Sequence, residues 1–346
     1  MEQFINKNEK IKENYTYDVI TVGSNTIDVF AYTDRSKSIC IKTIEGERCF
    51  ISYPVGSKFL IDELDFYTGG GGTNSAVSLS RMDLKVGYIG KIGNDENGNR
   101  IIEALKEEKV NFLGVKSKIP SKKTGYSIIL DSLERQRTIL AYKGVNDDLE
   151  YEEIDKENLK TNWFYFSSMV GKSFKTQEKL AEFANKNNIK ILYNPSNYLT
   201  EKGSDYLENI LKNTNILTLN DEEASLLVGK GSLKSMTKKL KSLGPDIVII
   251  TAGKNPVGCL DDKNIFYEVY PLKIKVVEAT GAGDSFASSF LAGIIKTGDV
   301  EFSLKLAIVN SHSVLQYKGA KFKLLKFKEA KQKISKKDII IEKEKL

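Results

Sequence analysis

Short apolar segments alternate with amphipathic ones along most of this chain. Apolar runs, each long enough for one buried strand, stand at 19–22, 86–90, 163–166, 189–193, 216–219 and 246–251. Segments between and after these runs have apolar residues at helical spacing, at 74–82, 98–109, 175–187, 206–213, 221–228 and 232–243. The alternation predicts an α/β fold: a doubly wound, mostly parallel sheet with helices on both faces.

One stretch departs from this alternation. Residues 30–68 are rich in Thr, Tyr, Ile and Ser and contain turn residues, which predicts antiparallel ribbons outside the main sheet. The stretch from about 110 to 131 adds returning strands to the same small region. We therefore expect one large domain over 17–325, with a polar N-terminal extension at 1–16 and a charged C-terminal tail at 326–346.

Net charge changes this picture little. The 346 residues include 52 Lys and Arg against 46 Asp and Glu, which gives a net charge of +6 spread over many lysines. No basic stripe is interleaved with aromatic residues. We therefore expect a solvated, lysine-rich surface and no nucleic-acid partner.

Cysteine, histidine and hydropathy exclude several classes of site and location. Cys40, Cys49 and Cys259 show no C-x-x-C spacing, so we expect neither a zinc site nor a disulfide. The single histidine, His312, excludes a histidine-rich metal site. No apolar run is long enough to span a membrane, and residues 1–16 lack the apolar core of a signal peptide. We expect a cytoplasmic protein with no membrane partner.

The strongest chemical signal is the run E-A-T-G-A-G-D at 278–284. The apolar segment 274–277 predicts a strand before it, and 285–295 predicts a helix after it. A glycine-rich turn at a helix start presents free backbone N–H groups, here those of Ala282, Gly283 and Asp284, and the helix dipole adds positive charge. Such a turn suits a phosphate, and Gly281 and Gly283 let the backbone approach it closely.

Asp284 lies beside this predicted phosphate site. A carboxylate there repels a phosphate unless it has another task, and accepting the proton of an attacking hydroxyl is such a task. The alternative is an acid that only stabilises the helix dipole. Asp28, Asn220 and Thr251 also fall just after predicted strands, where ligands bind in doubly wound folds.

Two further groups of residues suit ligand binding. Asn220 and Glu223 are three apart and share a face at a predicted helix start, which predicts a capping pair. The same pair suits a shell around a phosphate-bound Mg²⁺, with Glu223 acting through water. The glycines at 69–72, which precede the helix at 74–82, allow a substrate to touch bare backbone, with Asn74 as a polar contact.

Motifs in a fixed order along the chain resemble the signatures of one family. They are V-G-S-N-T-I-D at 22–28, G-G-G-G-T-N-S-A at 69–76, N-D-E-E at 220–223, T-A-G at 251–253, T-G-A-G-D at 280–284 and K-G-A at 318–320. The chain is similar to the ribokinase-like kinases, or PfkB family, which phosphorylate sugars and nucleosides. The resemblance implies a ribokinase-like fold in which the ribbons at 30–68 and 110–131 form a small β-lid.

The resemblance also implies a role for each matching residue. Asp284 is the catalytic base, and the anion hole is formed by Gly281, Ala282 and Gly283. The acceptor is bound by Asp28, Gly69, Gly70 and Asn74. The co-substrate ATP is contacted by Asn220, Glu223, Thr251, Gly253, Thr280, Gly281, Gly283 and, from an apolar helix at 303–316, Asn310. Mg²⁺ is held through water by Glu223, and Glu278 marks a possible site for a monovalent cation such as K⁺.

Three positions depart from the family pattern. Glu278 stands where the family usually has aspartate, so the charge is kept and a methylene is added. Gly71 stands where many members have lysine, and Thr26 stands where ribokinases have asparagine. Both of the latter positions contact ribose in that subfamily. The catalytic half of the chain therefore matches better than the acceptor half.

Three functions are open at this point. The favoured one is an ATP-dependent phosphotransferase, a carbohydrate kinase acting on a hydroxyl of a sugar or sugar-like acceptor. A nucleoside kinase of the same family would use the same base on a ribose 5′-hydroxyl. A non-catalytic sugar- or nucleotide-binding protein would keep the fold alone, but the intact Asp284, Asn220 and Glu223 argue against it. We also expect a homodimer paired through the edges of the lid.

Overall fold

The computed structural model of the chain describes residues 16–33, 37–43, 46–53, 55–58, 60–131 and 137–346. The predicted extension at 1–16 lies outside these ranges apart from its last residue, as do short pieces of the predicted lid. Within the described ranges, no helix is both long enough and apolar enough to cross a bilayer.

The strands of the described ranges follow one another along the chain. In order they are β1 Tyr17–Val22, β2 Thr26–Tyr32, β3 Lys37–Thr43, β4 Gly46–Ser52, β5 Glu63–Gly69, β6 Val86–Ile89, β7 Lys91–Ile92, β8 Val110–Phe112, β9 Val115–Lys116, β10 Tyr126–Asp131, β11 Arg137–Tyr142, β12 Thr161–Ser167, β13 Lys190–Asn194, β14 Ile216–Asn220, β15 Ile247–Ala252, β16 Asn255–Leu260, β17 Ile265–Val269 and β18 Ile341–Lys345.

The helices lie mainly between the parallel strands. In order they are α1 Gly71–Arg81, α2 Glu96–Glu107, α3 Gly171–Lys186, α4 Asn197–Thr200, α5 Ser204–Leu211, α6 Asp221–Val228, α7 Leu233–Lys241, α8 Ala282–Thr297, α9 Val300–Leu315 and α10 Phe327–Lys336. Short 3₁₀ turns occupy Gly144–Asp147, Tyr151–Glu153 and Lys156–Asn158.

A ten-stranded sheet forms the centre of the fold, in the order β18-β17-β16-β15-β14-β13-β12-β1-β6-β8. The strands from β15 to β8 in this order are parallel, and β16, β17 and β18 extend the sheet as antiparallel strands. The carboxyl ends of the parallel strands therefore meet at one edge, where doubly wound folds bind ligands.

Both faces of the sheet are buried. On β15, Ile249 packs into one apolar core, whereas Val248 and Ile250 pack into the other. Helices α1, α2, α8, α9 and α10 contribute to the first core, and α3, α5, α6 and α7 contribute to the second. A strand covered on both faces needs apolar residues at every position, which explains the continuous apolar run of β15. The predicted fold class is confirmed.

The lid is a separate four-stranded sheet in the order β11-β10-β2-β5, and β3 and β4 form a hairpin of their own. Its limits differ from the expected 30–68 and 110–131. Strand β8 belongs to the large sheet, whereas β2 and β11 belong to the lid. The sequence pattern identifies a strand but not its pairing partner, which depends on tertiary contacts.

Two other segments differ from expectation. Residues 271–277 form no strand; the N–H groups of Val277 and Glu278 donate instead to the Leu315 carbonyl at the end of α9, at 2.8 and 3.2 Å. Lysines alternate with apolar residues here as they would in a half-buried strand, but the apolar Val276 is 53% exposed rather than buried. Residues 326–346, expected as a charged C-terminal tail, form α10, which buries Ala330, and β18, which pairs with β17 at the edge of the sheet.

A disulfide joins Cys40 and Cys49 across the β3–β4 hairpin. The two residues are directly opposite in the antiparallel pairing, with their Cα atoms 4.0 Å apart. The expectation of no disulfide is therefore wrong. Cysteine spacing along the chain does not reveal a cross-strand pair, because the pairing is set by the position of the hairpin turn. Cys259 is a buried free thiol.

Candidate active site

The glycine-rich turn at 280–284 begins helix α8. Gly281 is the N-cap and adopts the left-handed conformation, with φ 76° and ψ 1°. The N–H of Ala282 closes the turn on the carbonyl of Ala279 at 3.2 Å. The first N–H groups of a helix have no intrahelical acceptor, so those of Gly283 and Asp284 are available to an anion. The turn thus offers two available N–H groups, those of Gly283 and Asp284, whereas the N–H of Ala282 is used within the turn.

Gly283 faces open space. A Cβ atom added at this position would meet no atom within 4 Å, whereas one added at Gly281 would lie 2.3 Å from the Cβ of Ala320. The chain therefore packs tightly behind the turn and leaves its front free. That front is part of a cavity of about 360 Å³, which Gly281, Gly283 and Asp284 line.

The carboxylate of Asp284 is half-buried at the start of α8. The amide of Asn74, on α1, donates to its Oδ2 at 2.9 Å. Burial raises the pKa of Asp284 to about 6, and the Asn74 hydrogen bond and the charge of Lys321 oppose that rise. An acid with this pKa is largely ionised near neutral pH, yet it still binds a proton readily, as a general base requires.

The acceptor-side residues gather beside Asn74. Asp28 lies on β2, and its Oδ1 accepts a hydrogen bond from the Thr26 hydroxyl at 2.8 Å. Burial raises the pKa of Asp28. A Cβ added to Gly69 would lie 1.9 Å from the Asp28 carboxylate, so glycine is needed for the turn to pass there. Gly70 has a φ of 97°, which also favours glycine.

The predicted capping pair is present at the start of α6. The Asn220 side chain accepts from the N–H of Glu223 at 2.8 Å, and the Glu223 carboxylate accepts from the N–H of Asn220 at 2.9 Å. Both residues also line the cavity, so the capping hydrogen bonds do not remove them from it. Burial, helped by the neighbouring acids, raises the pKa of Glu223 to about 7, and the hydrogen bond from the Asn220 N–H opposes the rise.

Of the remaining residues predicted to contact the nucleotide, only Thr251 lines the cavity. Thr251, at the end of β15, lines the cavity and donates to the Leu219 carbonyl at 3.3 Å. Gly253 occupies the β15–β16 turn with a φ of 58°, and Thr280 precedes the N-cap of α8; neither lines the cavity. Asn310 is fully buried on α9, where its amide donates to Ser289 and accepts from the N–H of Leu325. The structure does not bring Asn310 to the cavity.

The cavity also includes residues that no motif identified. Ser167, at the end of β12, is 3% exposed, and its hydroxyl has no hydrogen-bond partner among the described residues. Lys143 and Tyr198 line the rim, with the lysine Nζ 4.7 Å from the ring centroid. Position was the only sequence signal for two of them: Ser167 ends a strand of the parallel sheet, and Lys143 directly follows β11. Neither residue type suggests a ligand by itself.

Metal-binding side chains are sparse. Within the described ranges, no group of three or more His, Cys, Asp or Glu side chains could hold a metal ion. Glu223 fits Mg²⁺ only in the manner expected for a phosphate-bound ion, as one carboxylate near the cation's water shell. Glu278 is 8% exposed, and its Oε2 accepts from the N–H of Gly319 at 3.1 Å. A cation at Glu278 would need backbone carbonyls for its other ligands.

Comparison with known proteins decides the family. Residues 18–326 match the model of the pfkB family carbohydrate kinases. This chain belongs to that family. The resemblance found in the motifs is thereby confirmed, and the kinase belongs to the phosphotransferases.

Individual relatives agree with this assignment. The kinase is 30% identical over 233 residues to an uncharacterized sugar kinase of Archaeoglobus fulgidus, covering 65% of this chain and 89% of the relative. It is 26% identical over 329 residues to the ATP-dependent 6-phosphofructokinase of Thermoanaerobacterium thermosaccharolyticum, covering 91% and 93%. The structure of Arabidopsis thaliana ribokinase complexed with ribose and ATP superimposes with a TM-score of 0.77 at 19% identity, over 93% of this chain and 99% of that one.

Proposed function

We propose that this kinase transfers the γ-phosphoryl group of ATP to a primary hydroxyl of a sugar or sugar-like acceptor, with Asp284 as the general base. The observation that carries the proposal is the position of Asp284. Its carboxylate, with a pKa raised to about 6, adjoins a helix N-terminus that has two available N–H groups.

The phosphate side of the site is built from backbone. The N–H groups of Gly283 and Asp284 point from the start of α8 toward the region in which the γ-phosphoryl group would lie. Fixed donors of this kind stabilise the charge that develops during transfer, without reorganising. Bound Mg²⁺ supplies charge neutralisation of the nucleotide phosphates. On the nucleotide side we place Asn220, Glu223, Thr251, Gly253, Thr280 and Gly281.

The acceptor side is built from polar side chains around a glycine turn. Asp28 holds acceptor hydroxyls, and the exposed backbone of Gly69 and Gly70 lets the acceptor approach. Asn74 donates to Asp284 and so orients the base toward the acceptor hydroxyl. The hydroxyl gives its proton to Asp284 as its oxygen attacks the γ-phosphorus, and the ADP oxygen leaves on the opposite side.

A nucleoside acceptor is the second candidate. Tyr198 lines the cavity rim with 59% of its surface exposed, which suits it to stack on a base. Lys143 lies over one face of this ring, and a small sugar would leave the rest of it exposed. A Tyr198→Ala variant separates the two candidates, because it should raise KM for a nucleoside strongly and KM for a free sugar little.

We propose a homodimer formed through the lid. On one face of the lid sheet, the exposed residues Phe66, Ile128 and Leu140 are neighbours in the strand pairing around Val29, which the chain's own core buries. Phe66 is 54% exposed and Leu140 is 52% exposed. A second lid packed on this face would cover the exposed residues. Light scattering of the parent protein and of a Phe66→Glu variant tests this, since the variant should be monomeric.

We also propose that the kinase binds a monovalent cation. We place K⁺ beside Glu278, whose buried carboxylate stands just before the phosphate turn. A cation there would tie Glu278 to the backbone of the turn and so support the cradle. K⁺ should then increase the rate over choline at constant ionic strength, and Glu278→Gln should remove that increase.

The kinase activity is tested by ADP release with ATP and Mg²⁺ against sugars, sugar phosphates and nucleosides. Turnover on one class should fall by roughly 10²–10⁴ in Asp284→Asn, the contribution expected of a general base. The matched control is Asp205→Asn, which removes an exposed acid from the first turn of α5. Parent-like turnover in Asp284→Asn would show that another group takes the proton.

A further inference from the structure

Lys321 contacts both ends of the acceptor-side glycine turn. Its Nζ donates to the Thr68 hydroxyl and to the Thr73 hydroxyl, at 3.0 Å each. Thr68 is the residue before Gly69 on β5, and Thr73 lies in the first turn of α1. One ammonium group therefore bridges the strand that enters the turn and the helix that leaves it.

The bridge reaches the acceptor contacts through Thr73. The Thr73 hydroxyl donates to the carbonyl of Gly69 at 2.7 Å, so its oxygen is free to accept from Lys321. Gly69 in turn packs against the Asp28 carboxylate, so closely that a Cβ there would lie 1.9 Å from it. A displacement of the Lys321 ammonium would therefore move the backbone that supports Asp28.

The segment that carries Lys321 also supports the phosphate side. The N–H of Gly319 donates to Glu278 at 3.1 Å, and Ala320 fills the space behind Gly281. The Arg81 guanidinium donates a hydrogen bond to the Lys321 carbonyl at 3.0 Å. Gly319 and Ala320 thus support the phosphate side, and Lys321 contacts the acceptor-side turn.

We propose that Lys321 is a positioning residue for phosphoryl transfer: its ammonium holds the glycine turn of the acceptor side in place relative to Asp284 on the phosphate side. This inference rests on the proposed function. It gives a task to a cation that none of the sequence motifs includes.

Charge makes the role of Lys321 measurable. Asp28, Asp284 and Glu108 attract its ammonium, Arg81 repels it, and burial lowers its pKa to about 7. Its charge in turn lowers the pKa of Asp284, which otherwise faces the amide of Asn74 and lies near Tyr165 and Glu223. The ammonium of Lys321 therefore favours the ionised form of Asp284.

The test compares Lys321→Met with Lys321→Arg in ADP-release assays across pH. Lys321→Met should raise KM for the acceptor and move the acidic limb of kcat/KM upward by roughly one pH unit, the size of a lost neighbouring charge. Lys321→Arg keeps the charge and should keep the limb at the parent position. The matched control is Lys323→Met, which removes the same charge from an exposed position two residues on.

Two outcomes would overturn the inference. One is a Lys321→Met enzyme with the parent acidic limb and the parent KM for the acceptor; the other is an equal shift of the limb in Lys323→Met.

If Lys321→Met does not fold, Thr73→Val replaces it, because this variant removes a hydroxyl acceptor and no charge. It should raise the acceptor KM without moving the limb, and an unchanged KM would contradict the bridge. Full turnover in Asp284→Asn would instead refute the proposed function itself.

Discussion

Gly283 offers the sharpest test of the phosphate cradle, because stability and activity should respond oppositely to one methyl group. Gly283 is the second residue of α8, its φ is not positive, and an added Cβ would meet nothing within 4 Å. Replacing glycine by alanine inside a helix stabilises it by up to about 1 kcal/mol. At the first turn the gain is smaller, so the free energy of unfolding of Gly283→Ala should rise by about 0–1 kcal/mol.

The activity of Gly283→Ala should fall sharply. The open space in front of Gly283 is where we place the transferring phosphoryl group, and the methyl group would occupy it. Alanine keeps the backbone N–H, so the methyl group acts by pushing the phosphoryl group away from that donor, and losing contact with one preformed donor costs roughly 10²–10³ in rate. We expect kcat/KM to fall by about that factor while the thermal unfolding midpoint stays at or slightly above the parent value.

Gly281→Ala is the matched control, since it adds the same methyl group two residues earlier. The left-handed conformation of Gly281 costs an L-residue roughly 1–2 kcal/mol. The added Cβ would also lie 2.3 Å from the Cβ and 2.7 Å from the Cα of Ala320, and overpacking of this kind costs about 1–3 kcal/mol. Together these predict a loss of roughly 2–5 kcal/mol in the free energy of unfolding.

Urea unfolding and ADP release on the same preparations distinguish the two effects. The expected pattern is a stable, nearly inactive Gly283→Ala and a destabilised Gly281→Ala. A stable Gly283→Ala with parent kcat/KM would refute the argument, because the space at Gly283 would then not be where the phosphoryl group lies. A destabilised Gly283→Ala would show that the protein itself closes over this space.

The other predictions are simpler to state. Because the base must be ionised and the pKa of Asp284 is about 6, kcat/KM should fall roughly tenfold between pH 7 and pH 5, as a pH series with constant ionic strength would show. Asn74→Ala removes a 2.9 Å hydrogen bond to the ionised base, so its acidic limb should lie at higher pH than that of the parent. Thiol titration of the denatured protein should find one free thiol, Cys259, and three thiols after reduction, because Cys40 and Cys49 are paired.

The local parts of the site could be predicted from the sequence. The turn before α8 is a glycine N-cap followed by helix-forming residues, so its conformation depends on neighbours within a few positions. The capping pair of Asn220 and Glu223 is local for the same reason. The general rule that the carboxyl ends of parallel strands share an edge explains the positions of Asn220 and Thr251. It does not explain Asp28, which lies inside the lid strand β2, or Asp284, which follows residues that form no strand.

Contacts between distant segments could not be predicted in this way. Lys321 belongs to no periodic pattern, and its importance depends on Thr68 and Thr73, some 250 positions earlier. Ser167 is an ordinary serine until the fold buries it beside the cavity. The segment 274–277 shows the opposite error: its alternation is suitable for a strand, but the N–H of Val277 donates to the Leu315 carbonyl at the end of α9.

Asn74 on the acceptor side and Asp284 lie on two helices that start 211 residues apart, α1 at Gly71 and α8 at Ala282. Their contact depends on how these helices pack. Asn74 bonds to Asp284, and one turn further along each helix the hydroxyls of Ser78 and Ser288 bond at 2.7 Å. Residues four apart share one helix face, so these two polar contacts fix both the sliding and the rotation of α1 against α8. Both contacts are buried or nearly so, and a shift by one residue would leave polar groups unpaired. The distance between the acceptor-side turn and Asp284 is therefore set by helix packing, and these two contacts join the Lys321 bridge in holding the two glycine turns together.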